Sequence, residues 1–225
     1  MPFFARFNFP SHQQSIDITM ITVIGNLKGG SGKSTVTFNL ALWLIQAGKT
    51  VLAYDLDLQR TLSDVVQVRQ EEGYEPRLTV STDLNLPQHF KYEAVIDIGT
   101  GNMTQMKRAL SLADRIIVPV VPSQADLWST QRFLYFIASE VRGKPPEIVM
   151  FINRADTHSS IRESDETYDA LKSLPGIKLL ENRLYQRITY RRSFSEGLAV
   201  FELEPSSKAA KEFEKFAQLI YPSKK

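Results

Sequence analysis

The chain has no cysteine among its 225 residues. That absence removes disulfides, thiolate zinc sites, cysteine nucleophiles and cysteine-held iron–sulfur clusters in one step. Histidine is nearly as scarce: His12, His89 and His158 are the only three, and no two share a local ligand spacing. A histidine metal site is therefore not expected. No run approaches the ~18–20 apolar residues of a membrane span. The N-terminal residues lack the basic segment and long apolar stretch of a secretory signal. An excess of one charge is missing too, since 27 Lys and Arg against 25 Asp and Glu leave a net charge of +2. Bulk charge this mild does not announce a nucleic-acid protein, so any such role must rest on a local patch. A reduced, cytoplasmic setting fits these absences, and no membrane partner is expected.

What is present is an ordinary globular composition, 43% hydrophobic and 23% charged. The length suits one domain, or slightly more, at the usual ~100–200 residues each. Residues 1–19 stand apart, with two prolines, scattered phenylalanines and no period. They read as a loose arm, or as a start placed too early with Met20 as the working start. The alternative is that Phe3, Phe4, Phe7 and Phe9 dock on a partner. From Met20 to the end, residues 20–225 read as a single domain of alternating strands and helices. Strands are expected over 20–25, 50–54, 94–98, 115–121 and 147–153, with a short one over 178–180. Helices are expected over 35–47, 62–72, 105–112, 127–142, 164–174 and 206–220. Continuous apolar strands between helices predict a doubly wound, mostly parallel α/β sheet with helices on both faces. Ligands of such sheets sit at the carboxyl ends of the strands, so the residues just after each strand are the ones to read.

The strongest signal is Lys28-Gly29-Gly30-Ser31-Gly32-Lys33-Ser34-Thr35, which follows a strand and opens a helix. Glycines let backbone N–H groups turn inward as an anion nest, and the helix start adds partial positive charge. Lys33 would reach the terminal phosphates and the Ser34 hydroxyl would ligate Mg²⁺. The usual G-x-x-x-x-G-K-[ST] pattern is not met, because Leu27 stands where the first glycine belongs and Lys28 is an added cation.

This K-G-G-x-G-K-[ST] form resembles the deviant Walker A motif of the ParA/MinD superfamily of P-loop ATPases, and most closely its small ParA-type (ParF-like) partition members. The resemblance covers about residues 20–220. It implies ATP and Mg²⁺ as cofactors and a homodimer that sandwiches two nucleotides. Lys28 would cross to the partner subunit's phosphates, and Gly29, Gly30, Ser31, Gly32, Lys33, Ser34 and Thr35 would hold the chain's own. Asp55-Leu56-Asp57-Leu58-Gln59 resembles the family's D-x-D-P-Q segment, with Leu58 in place of proline. That match implies Asp57 as the group that orients or deprotonates the attacking water and Asp55 as support for the Mg²⁺ shell. Ala94-Val95-Ile96-Asp97 reads as a Walker B strand with Asp97 aimed at Mg²⁺. Ile98-Gly99-Thr100-Gly101 follows where relatives often carry Thr-Pro-Pro. Asn153 and Arg154 stand where relatives read the adenine.

Gly197, Val200 and Glu202 fit the Gly-x-x-Val-x-Glu pattern that precedes the final helix of the small partition ATPases. By that resemblance, Arg187, Arg191, Arg192, Lys208 and Lys211 bind DNA without sequence preference, through phosphate contacts. The implied function is segregation of a plasmid or chromosomal element on the nucleoid, with hydrolysis stimulated by a ParB-type centromere-binding or cargo-adaptor protein. Two alternatives stay open. The same mechanism positions a protein cargo, such as a chemoreceptor array or a carboxysome-like compartment, or the protein is a MinD-like membrane switch. For the last, residues 210, 213, 216, 217 and 220 form an apolar stripe, but both charge signs on the opposite face favour core packing.

Overall fold

A computed structural model describes residues 20–87, 91–158 and 162–222. The N-terminal arm over 1–19 lies outside the described residues, as does His89.

The β-branched run Met20–Ile24 forms β1, and Val51–Asp55 forms β2. Between them α1 runs over Lys33–Gln46, and α2 follows over Thr61–Glu71. Two residues, Val80–Ser81, make β3, and Glu93–Asp97 is β4. Then come α3 (Met103–Leu112), β5 (Arg115–Val120), α4 (Gln124–Glu140) and β6 (Glu147–Ala155). The last third holds α5 (Glu163–Lys172), β7 (Lys178–Leu179) and β8 (Leu184–Tyr185). It closes with α6 (Ile188–Ser195), α7 (Val200–Leu203) and α8 (Lys208–Ile220).

The strands pair in the order β3-β2-β4-β1-β5-β6-β7, with β8 beside β6, and every pairing is parallel. Successive side chains of a strand point to opposite faces. Ile24, Val95, Ile117 and Phe151 therefore meet α1, α2 and α8 through Phe38, Leu42, Leu62, Phe213 and Phe216. Their neighbours Val23, Ile96, Ile116 and Ile152 meet α3, α4 and α5 through Met106, Phe133, Ile137 and Leu171. Each central strand is apolar on both faces because each face has its own helical layer. The expected doubly wound architecture is the one observed.

Several expectations need correction. The strand expected over 94–98 ends at Asp97, so that carboxylate is the strand's last residue. The strand expected over 147–153 runs on to Ala155, which places Arg154 inside β6 rather than after it. β3, β8, α6 and α7 were not expected at all. Two-residue strands carry no period, and α6 buries only Thr189 and Ser193. The stripe of Ala210, Phe213, Phe216, Ala217 and Ile220 is buried in the core. Among the described residues, no helix is long and apolar enough to cross a membrane.

The Gly-x-x-Val-x-Glu pattern proves to be a clasp. Arg69 of α2 is 1% exposed and donates to both Glu202 oxygens at 2.8 and 2.9 Å, and to the carbonyls of Gly197 and Pro76 at 3.0 Å. Gly197 has φ 70°, and a Cβ there would lie 2.7 Å from the Arg69 backbone nitrogen. The Val200 N–H donates to the buried Asn39 side chain at 2.7 Å, and the Ala199 N–H donates to Glu202 at 2.8 Å. The three pattern residues thus tie α2 and α1 to the C-terminal helices. Arg69→Met should destabilise the protein by about 3–5 kcal/mol, because it strands the Glu202 charge. Urea unfolding checks this, and a loss below 1 kcal/mol contradicts it.

Candidate phosphate and metal site

The sheet register gathers the site. Asp97 is the Cα partner of Ile24 on one side and of Asp55 on the other. The loop that leaves β1 therefore starts beside two carboxylates. Asn26 pins this loop from below: its side-chain amide donates to the Pro119 carbonyl at 3.0 Å, and its oxygen accepts from the Lys28 N–H at 3.4 Å.

Some helix starts carry a side-chain cap and others, α5 and α6 among them, do not. Asn102, Ser123 and Ser207 cap α3, α4 and α8 by accepting backbone N–H bonds at 3.0–3.1 Å. The starts of α1 and α2 have left-handed Gly32 and Arg60, with no side-chain cap. The free N–H groups of α1 thus point at the loop with their partial positive charge, which is an anion site. Gly32 has φ 86°, and a Cβ there would sit 2.5 Å from the Asn153 amide nitrogen, so only glycine fits. Asn153 donates that nitrogen to the Ser31 carbonyl at 2.7 Å. Its first visible task is to hold the loop's shape. Gly29 and Gly30 are exposed, and a Cβ at either would meet nothing within 4 Å.

Lys33 is buried, and its ammonium donates to the Lys28 carbonyl at 3.3 Å, across the mouth of the loop. Lys28 turns the other way: its ammonium pairs with Asp126, whose side chain is 2% exposed and which also accepts the Ser123 hydroxyl. Ser123-x-x-Asp126 after a strand is a recognisable helix-start pattern, but the pairing of Asp126 with Lys28, 98 residues away, is not visible in the sequence.

The three acidic residues have distinct surroundings. Asp55 is fully buried and accepts the Ser63 N–H at 2.8 Å, the Ser63 hydroxyl at 2.7 Å and the Asp57 N–H at 3.2 Å. These bonds shape the loop that carries Asp57. Asp57 is half-buried and accepts the Gln59 N–H at 3.1 Å. Asp97 is fully buried, and neither of its oxygens has a hydrogen-bond partner among the described residues. Burial lifts its pKa to about 7, with Asp55 and Asp57 adding to the rise; the Ser34 hydroxyl and Lys33 lie close enough to oppose it.

Two departures from the family pattern fit each other. A Cβ on Gly99 would lie 2.1 Å from the Asp57 carboxyl carbon, and one on Gly101 would lie 2.8 Å from Leu58 Cδ1. The glycines after β4 make room for the residues after β2.

A cavity of about 640 Å³ continues from Gly32 and Thr35 past Asn153 and Arg154 to Tyr185, Arg187 and Arg191. Arg154 holds φ 54°, a strained value for a side-chain-bearing residue. Among the expected DNA contacts, Arg187 is spent on Glu212, to which its Nε donates at 3.0 Å, and it lies 5.3 Å from the Tyr185 ring centre. Arg192 pairs with Glu204 at 3.1 Å. Among the described residues, Arg191, Lys208 and Lys211 are exposed and have no ion-pair partner. Tyr190 donates its hydroxyl to the Ala209 carbonyl at 3.2 Å, so α6, with Arg191, lies against the first turn of α8.

The residues present fit a metal-bound polyphosphate. The orphaned Asp97 carboxylate, the orphaned buried Ser31 hydroxyl and the uncapped start of α1 all call for a charged ligand. No group of three or more His, Cys, Asp or Glu forms a protein-only metal site among the described residues. That suits Mg²⁺, which takes few protein ligands and fills its shell with water and phosphate.

The sequence profile of the CobQ/CobB/MinD/ParA nucleotide-binding domain matches residues 22–200. The maintenance of carboxysome distribution protein A of Halothiobacillus neapolitanus is 27% identical over 89% of this chain and 95% of its own. A solved plasmid partition protein of Borrelia burgdorferi, bound to AMPPNP, has a TM-score of 0.69 and 19% identity, over 90% of this chain and 98% of its own. The MinD protein of Pyrococcus horikoshii, complexed with Mg-ADP, has a TM-score of 0.67 and 21% identity, over 90% and 96%. Both structures share the fold.

The raised pKa of Asp97 has a definite sign. The native state keeps a proton that the unfolded chain releases, so stability falls as pH rises from about 4 towards 7. Asp97→Asn should remove this slope and raise the melting temperature of nucleotide-free protein at pH 8, by about 2–4 °C per kcal/mol relieved. Thermal melts at pH 5 and pH 8 check this; a variant that melts lower than wild type at pH 8 contradicts it.

Proposed function

The chain belongs to the CobQ/CobB/MinD/ParA nucleotide-binding domain family, and on that premise we propose that it is a Mg²⁺-dependent ATPase that dimerises around ATP and binds DNA as a dimer. The observation that carries this reading is the pair of lysines on one loop. Lys33 faces its own loop, while Lys28 points away and is held by an acid that lies 98 residues further along the chain. A second lysine is useful only if it reaches phosphates that its own loop does not hold.

In the proposed cycle the loop backbone from Gly29 to Gly32, with the start of α1, holds the phosphates. Ser34 and Asp97 would hold Mg²⁺, which when bound would supply neutralisation of charge on the phosphoryl group. Asp57 orients the attacking water, and the Asp55–Ser63 bonds fix the loop that carries it. Lys28 leaves Asp126 for the partner subunit's phosphates, so the triphosphate joins the two copies. Asn153 and Arg154 line the cavity that takes the nucleoside. Hydrolysis removes the bridging charge and parts the dimer, and a ParB-type protein or an adaptor hastens that step.

DNA contact falls to the cations that remain free, Arg191, Lys208 and Lys211. Arg187 and Arg192 are left out because their charges are matched within the chain. The proposed use is segregation of a plasmid or chromosomal element on the nucleoid. A second reading keeps the mechanism and makes the cargo a protein compartment. The 27% identical relative named for carboxysome distribution favours it, since the match spans 95% of that protein. A partner that binds a centromere-like DNA site supports the first use; one that binds a compartment shell supports the second.

Asp57→Ala should keep ATP affinity, lose at least about 100-fold in turnover, and persist as a dimer in ATP. Phosphate release and light scattering check this, and a monomer in saturating ATP contradicts it. Replacing Arg191, Lys208 and Lys211 with alanine should lower the salt slope of DNA binding by about 0.9 for each phosphate no longer neutralised. An unchanged slope at three salt concentrations places the DNA surface elsewhere.

A further inference from the structure

The end of the sheet opposite the phosphate loop carries a groove that the ATPase cycle does not use. It lies between the C-terminal half of α4 and the loops that lead into β6 and β7, and its volume is about 610 Å³. Leu134, Tyr135, Val141, Pro146, Ile148 and Leu174 line it, and no charged side chain does. Tyr135 is 79% exposed. A concave apolar surface of this size, free of charge, has the character of a binding site.

The chain supplies an occupant of matching chemistry. Phe3, Phe4, Phe7 and Phe9 fall between Pro2 and Pro10, with Arg6 as the sole charged residue of that stretch. The family profile begins at residue 22, so this stretch lies outside the shared nucleotide-binding unit. Its connection enters the fold at Met20, the first residue of β1. β5 lies between β1 and β6, with Thr22 opposite Arg115 and Arg115 opposite Glu147. Met20 and Ile148 therefore stand at the same end of the sheet, two strand spacings across and three residues along, or about 14 Å apart. Residues 11–19 span up to about 30 Å when extended, which is ample for the distance.

We propose that the phenylalanine-rich segment over residues 2–10 docks within its own chain into the groove between α4 and the loops before β6 and β7. Aromatic rings suit such a groove because they bring large apolar area with few rotatable bonds. The prolines at both ends of the segment limit the freedom lost on docking. The docked segment covers the exposed Tyr135 side of α4 and leaves the phosphate loop untouched. This inference does not rest on the proposed ATPase cycle.

Two variants test it in the full-length protein. Ala138→Glu puts a charge on the groove wall, at an exposed helical position. Chymotrypsin should then cut after Phe3, Phe4 and Phe7, the three not followed by proline, about tenfold faster than in wild type, since cleavage tracks the undocked population. The second variant replaces Phe3, Phe4, Phe7 and Phe9 with serine and alters no residue of the described fold. The amides of residues 141–144 and of Leu174, Gly176 and Ile177 should exchange faster in it than in wild type. Equal cleavage in wild type and Ala138→Glu, or equal exchange in wild type and the serine variant, overturns the proposal. Protection that fades on dilution assigns the groove to a second copy's segment and overturns docking within the chain.

Discussion

The structure depends on a row of strand ends. Parallel pairing puts Ile24, Asp97 and Asp55 side by side, and the loop from β1 then wraps over two buried carboxylates. The protein resolves these acids in opposite ways. Asp55 is satisfied by Ser63 and by the Asp57 backbone, which turns its burial into loop geometry. Asp97 has no such partners, and its raised pKa records the cost of burying it. A folded chain keeps an acid in this condition when a cation is to be placed beside it. The uncapped start of α1 belongs to the same design, since a side-chain cap would occupy N–H groups that a phosphate needs.

The second theme is how long-range pairing allots the charges. Lys28 and Asp126 are far apart in sequence, as are Arg69 and Glu202, yet each forms a partly or fully buried pair. The first turns Lys28 away from its own loop and against the start of α4. The second joins α2, just past the Asp57 loop, to the C-terminal helices that carry Arg191 and Lys208. The clasp is a physical connection between α2, which follows the Asp57 loop, and the C-terminal helices. In the basic segment, Glu212 and Glu204 neutralise two of the five cations that the sequence singles out.

The fold was legible because strands buried on both faces are apolar throughout, and glycines mark the turns between strand and helix. The phosphate loop was legible because its residues are consecutive. Less visible was anything that depends on register or distance. Asp97 as a strand's last residue, Arg154 within β6 and Asp126 beside Lys28 all follow from the tertiary arrangement. The four missed elements are too short, or too weakly apolar, to carry a period. In sequence, the segment over 98–101 shows only a departure from the relatives' Thr-Pro-Pro; in three dimensions Gly99 and Gly101 are the space that Asp57 and Leu58 fill.

The central claim is that the orphaned Asp97, Ser34 and the bare start of α1 form one site for a metal-bound triphosphate. Calorimetric titration of ATP, with Mg²⁺ and then with a chelator in its place, tests it most directly. The account predicts saturable binding with Mg²⁺, weakened severely by the chelator, and the loss of this metal dependence in Asp97→Asn. ATP affinity that is absent in wild type, or indifferent to Mg²⁺, would contradict it.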